Sequence, residues 1–94
     1  MKTATIFYLT ACPYCIKGRK ALAELQAENP AYAAIGAQWI EESQNAALAD
    51  TYDYYSVPSI FDGKQKLFEC QAAMGYEEIK AGFRQALERM LARK

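Results

Sequence analysis

The sequence predicts an α/β fold in which a four-stranded mixed sheet is flanked by helices, in the order β-α-β-α-β-β-α. Three observations predict it. A β-branched and aromatic run over residues 3–9 gives way at Cys12 to apolar residues spaced by three and four. Asp62-Gly63 separates two short strand-like runs, as a hairpin turn does. From Tyr76 onward one apolar stripe repeats at helical spacing. The chain is 94 residues long, a length that holds one hydrophobic core, so residues 1–94 are read as a single domain.

Each element follows from local chemistry. Thr3 to Leu9 carries no charge, as expected of a strand buried on both faces. Leu9-Thr10-Ala11-Cys12 has the outline of a lipoprotein processing box. The apolar part before it is only about seven residues, and Thr3, Thr5, Tyr8 and Thr10 interrupt it, so a strand is expected instead of a signal. Pro13 suits the first position of a helix, which places Cys12 at its N-cap. Cys15, Gly18, Leu22 and Leu25 form the inner stripe of that helix, and Pro30 is expected to stop it. Gly36 to Glu41 reads as the second strand, with Ala37 and Trp39 on one face and Gln38 and Ile40 on the other. Ser43 is expected to cap a short helix carrying Leu48, Ala49 and Tyr52. Val57 to Phe61 and Gln65 to Glu69 read as the hairpin strands. The last helix aligns Ile79, Phe83, Leu87, Met90 and Leu91. The helical crossover makes the first two strands parallel, and the hairpin makes the last two antiparallel.

Composition removes several function classes. Eleven basic residues balance eleven acidic ones, which leaves no excess positive charge for a nucleic-acid groove. With no histidine, imidazole catalysis and histidine-ligated metal sites are excluded. No run approaches the roughly 18 apolar residues of a spanning helix, so no membrane partner is expected. Three cysteines are too few for a secreted disulfide scaffold, and a reducing, cytoplasmic setting is expected.

Chemistry concentrates at Cys12 and Cys15. At a helix N-cap, the amides of Tyr14 and Cys15 and the positive end of the helix dipole favour a thiolate on Cys12 over a thiol. Cys15, one turn in and on the buried stripe, is placed to attack a mixed disulfide on Cys12. The residues alone leave other readings open. The pair is also compatible with two incidental buried cysteines, or with half of a zinc site completed by Cys70 and a carboxylate. Lys17, Arg19 and Lys20 form either a solvated face or a cationic neighbourhood for the thiolate, and Cys70 is either a third redox thiol or incidental. Tyr52 reads as core, whereas Tyr54 and Tyr55 fit either packing or a substrate groove.

Cys12-Pro13-Tyr14-Cys15 after an opening strand, with Ser56-Val57-Pro58 before the third strand, resembles the active-site pair and cis-proline loop of the glutaredoxins. The resemblance extends over nearly the whole chain in element order, and it implies a thioredoxin-like, glutaredoxin-type fold. It implies that Cys12 is the nucleophile and Cys15 the resolving thiol. It further implies that Pro58 is cis beside the disulfide, that Val57 pairs through its backbone with an extended thiol substrate, and that Pro13 and Tyr14 contact it. Two places depart from the family pattern. Leu9 stands where glutathione-using members usually carry a basic residue, and Met74-Gly75-Tyr76-Glu77-Glu78 only partly matches the glycine pair and acid that hold the tripeptide's amino end. Gly75, Glu77 and Glu78 are expected to take a cationic amine there.

The resulting expectation is a monomeric dithiol–disulfide oxidoreductase that acts on protein or glutathione mixed disulfides. Lys17 and Cys70 are accessory residues. No cofactor or metal is required, and glutathione or a flavin-containing reductase serves as electron donor. The alternatives are a glutathione-bridged [2Fe-2S] carrier using Cys12 from two subunits, and a zinc-linked interaction domain.

Overall fold

The computed structural model describes residues 2–93. Along the chain lie β1 (Thr3–Tyr8), α1 (Pro13–Glu28), α2 (Pro30–Ala33), β2 (Gly36–Glu41), a 3-10 turn (Glu42–Gln44), α3 (Ala46–Ala49), β3 (Ser59–Asp62), β4 (Gln65–Glu69) and α4 (Tyr76–Ala92). The strands form one sheet in the order β2-β1-β3-β4. β1 pairs parallel with β2, with Ile6 opposite Trp39, and antiparallel with β3, with Ile6 opposite Ile60. The β3–β4 hairpin turns at Gly63, whose φ of 61° favours glycine. The mixed sheet flanked by helices is the architecture expected from the sequence.

Alternation along the strands sorts side chains onto two faces. Ala4, Ile6 and Ile60 face the core formed with Leu22 and Leu25 of α1 and Ile79, Phe83, Ala86, Leu87 and Met90 of α4. Phe7, Ile40 and Phe61 face the other way, where Ala49, Tyr52, Tyr54 and Val57 cover them. On that second face Phe7 lies 4.7 Å from the Tyr52 ring and 5.0 Å from the Tyr54 ring, centroid to centroid. Trp39 is on the helical face, with the Arg19 guanidinium 4.5 Å from its ring centroid and equally 4.5 Å from that of Tyr8.

Several local readings need correction. Pro30 does not simply end a helix but opens α2, because Asn29 caps it by accepting the Ala31 amide at 2.9 Å and proline suits N1. Ser43 is no N-cap: it lies in the 3-10 turn, Asn45 precedes α3, and Tyr52 falls beyond that short helix. β3 begins at Ser59 instead of Val57, since Pro58 has no amide to give to the ladder. Leu48 and Leu91 are exposed, and Ala86 takes the inner place on α4.

Candidate active site

β1 delivers the chain to Leu9, and a turn closed by the Cys12 amide on the Leu9 carbonyl (3.2 Å) leads into α1. Cys12 is the N-cap in extended conformation, and Pro13 occupies the first helical turn. Cys15 is buried in the same turn, and its sulfur accepts the Leu9 amide at 3.5 Å. Both thiols are free, and their side chains lie within hydrogen-bonding reach of one another. Burial pushes the Cys15 thiol up to about 12; the Leu9 amide opposes this, and the neighbouring Cys12 and Cys70 sulfurs reinforce it.

Cys12 is half-buried. No backbone amide of the first helical turn reaches its sulfur, contrary to the expected convergence of the Tyr14 and Cys15 amides. The Cys12 thiol instead points across the site and donates to the Val57 carbonyl at 3.9 Å. The Val57–Pro58 peptide is cis, Pro58 is buried, and the Pro58 carbonyl accepts the Cys70 amide at 3.1 Å. Gly18 lets this loop approach α1: a Cβ there would lie 3.3 Å from Pro58 Cγ and 2.9 Å from Phe83 Cζ.

Two carboxylates pin the segments that frame the site. Glu41 accepts from the Ser43 hydroxyl at 2.6 Å and its amide at 2.7 Å, and from the Thr10 hydroxyl and amide at 2.8 Å each. Those bonds, led by the Ser43 hydroxyl, hold its carboxyl down at about 2. Glu69 accepts the Tyr55 and Ser56 amides at 2.6 and 2.7 Å and pairs with Lys66 at 2.8 Å. Burial raises its pKa, but the ion pair and the two amides outweigh burial and leave it below the usual carboxylate range. Neither residue was singled out from the sequence.

A groove of about 320 Å³ runs beside the thiols, walled by Leu9, Tyr14, Val57, Cys70, Gln71 and Ala72, with Glu42, Tyr55 and Ser56 at its other end. The structure therefore brings Tyr14, Val57 and Cys70 together, next to Cys12, Pro13, Cys15 and Pro58. Tyr14 accepts the Ala73 amide at 3.0 Å, which ties the C-x-x-C turn to the loop after β4. Ala73 has φ 68°, the single non-glycine residue with positive φ among the described residues. Cys70 is buried, and burial raises its thiol pKa; the Cys12 sulfur adds to that and Lys17 opposes it. Lys17 is exposed, its ammonium 5.8 Å from the Tyr14 ring centroid.

Gly75, Glu77 and Glu78 stand apart, at the start of α4, and none lines the groove. Glu78 spends its carboxylate on the Gly75 amide at 2.9 Å, capping the helix. Among the described residues no three cysteine and carboxylate side chains group closely enough to hold a metal ion, which leaves the zinc-linked reading without a donor set there. No described helix is long and apolar enough to cross a membrane.

No protein-family model and no curated protein matches the chain. Solved structures do. A malarial protein superposes with a TM-score of 0.60 at 18% identity, over 90% of this chain and 96% of its own. A designed protein reaches a TM-score of 0.62 at 22% identity, over 98% of this chain and 78% of its own. A single-site mutant of thioredoxin from Halobacterium salinarum NRC-1 gives a TM-score of 0.56 at 20% identity, over 84% and 68%. The chain has a thioredoxin-like fold. On that fold, two reduced thiols lie close together where the first helix begins.

Proposed function

We propose that this protein is a dithiol–disulfide oxidoreductase of the glutaredoxin type. The observation that carries the reading is the asymmetry of the two sulfurs: Cys12 is accessible beside the Val57 carbonyl, while Cys15 is sealed within reach of it. The Cys12 sulfur, as thiolate, attacks one sulfur of a substrate disulfide. That S–S bond breaks, the leaving thiolate takes the electron pair and a proton, and a mixed disulfide remains on Cys12. Cys15 then loses its proton, attacks the Cys12 sulfur and expels the second substrate thiol, so that two electrons and two protons pass from the dithiol to the substrate. Burial keeps Cys15 protonated until that moment, which protects it from outside electrophiles and assigns first attack to Cys12.

Val57 and Tyr14 border the groove in which a substrate chain would lie, and Pro13 and Pro58 are their neighbours in the chain, with the Val57–Pro58 bond cis. Glutathione or a flavin-containing reductase returns the bridge to the dithiol, and the protein works as a monomer in a reducing compartment such as the cytoplasm. Cys12→Ser should abolish reduction of a small mixed disulfide, a loss of at least about a thousandfold. Cys15→Ser should leave a mixed disulfide on Cys12 that mass spectrometry detects. Turnover by Cys12→Ser at the normal rate would refute the proposal.

A further inference from the structure

Beyond the thiol groove lies a larger cavity of about 480 Å³, formed by the 3-10 turn, α3 and the segment leading to Pro58. Glu42 and Tyr55 line both, so the two hollows adjoin at these residues. The second hollow is walled by Tyr52, Tyr54 and Tyr55 and carries two carboxylates, Glu42 and Asp50; no lysine or arginine lines either hollow. The Tyr54 hydroxyl donates to Glu42 at 2.6 Å. Burial raises the pKa of that phenol, and Glu42 and Asp50 push it further up, so both negative fields converge inside the cavity.

Tyr55, on the crest between the hollows, is 92% exposed although aromatic. Its amide and that of Ser56 are fixed by Glu69, so the backbone is held while the ring stands free in solvent. Outside the cavity lining, the Lys64 ammonium lies 4.0 Å from the Tyr52 ring centroid, so one of these rings already carries an ammonium. A phenol-walled, twice-acidic hollow favours a cationic, partly apolar group and disfavours carboxylates.

We infer that this cavity is a specificity subsite for a lysine or arginine side chain of an extended polypeptide substrate, close in sequence to the cysteine that Cys12 attacks. The inference rests on the oxidoreductase reading and adds to it a substrate class: basic protein chains in preference to glutathione, whose two carboxylates outnumber its one ammonium. Tyr55 precedes Val57 by two positions, at most about 7 Å of chain, so the basic residue belongs two or three positions from the substrate cysteine.

The test uses three short peptides in which cysteine carries a neutral small thiol in mixed disulfide. Arginine, norleucine or glutamate stands two residues away, in versions for either side. At low ionic strength kcat/KM should fall from arginine to norleucine to glutamate, about tenfold or more across the series, and the spread should collapse in 0.5 M salt. Asp50→Asn and Glu42→Gln should each narrow it. Equal kcat/KM for all three peptides would overturn the subsite while leaving the redox reading intact. Binding to the Cys12→Ser protein, followed by amide shifts at Tyr54 and Tyr55, separates the two claims. Shifts produced by the arginine peptide and not by the glutamate peptide support the subsite even if no peptide is turned over. Absent or equal shifts overturn it.

Discussion

The two faces of the sheet are built differently. On one, α1 and α4 lie side by side over Ala4, Ile6 and Ile60, and thirteen buried residues form a continuous core. On the other, among the described residues, the buried cluster has four members, Phe7, Ile40, Ala49 and Phe61, with Tyr52, Tyr54 and Val57 packed partly over them. Long helices bury an aliphatic stripe, whereas the 46–57 segment has one short helix and stabilises itself with aromatic rings. The thick face holds Cys15 in place, and the thin face shapes the wall against which Cys12 rests.

Matched truncations break this comparison most strongly. Phe83→Ala and Phe7→Ala each remove a ring with no exposed surface and should each cost about 3–5 kcal/mol in urea unfolding, a large share of a small domain's stability. Amide exchange should tell them apart. Phe83→Ala should speed exchange through α1 and α4 together, whereas Phe7→Ala should speed it chiefly over residues 46–57. Uniform acceleration in both variants would show that the faces unfold as one unit. Gly18→Ala comes next, because a methyl group there meets Phe83 and Pro58 at once. The overpacking cost exceeds the gain in helix propensity, for a net loss of about 1 kcal/mol, with a larger proportional fall in kcat/KM as the proline loop is pushed from Cys12.

The smallest effect is on the acid side. Glu41 ionises at about 2 in the folded protein against 4.5 ordinarily, so between these values the unfolded chain binds more protons. Its stabilisation is complete above about pH 4.5 and is lost as pH falls toward 2. Glu41→Gln should therefore flatten the decline of the urea midpoint across that window; an unchanged slope would show that its bonds to Thr10 and Ser43 do not survive in solution.

Much of the fold was legible because periodicity reports burial directly. β2 and β4 run as the alternation predicts, Gly36–Glu41 and Gln65–Glu69, and α1 starts at Pro13. What was hidden depends on partners remote in sequence. Glu41 bonds Thr10 across 31 positions and Glu69 bonds Tyr55 across 14, and no local pattern announces either contact. α2 was missed because a proline after Asn29 reads equally as a stop or a start. At the site, spacing located Cys12 and Cys15, and the resemblance added Val57 and Pro58. Spacing did not show that the Cys12 sulfur turns toward Val57 instead of its own helix, because side-chain rotamers leave no trace in residue order. Glu78, read as a ligand holder, is occupied in capping α4.

Trp39 is the chain's single indole, and it stacks on Arg19, one turn beyond Cys15 on the helix that carries both sulfurs. That makes it an intrinsic optical gauge. Were the proposed bridge between the two sulfurs to close, a small displacement of that helix would alter the cation lying on the indole and so its emission, and fluorescence would follow that change in unlabelled protein.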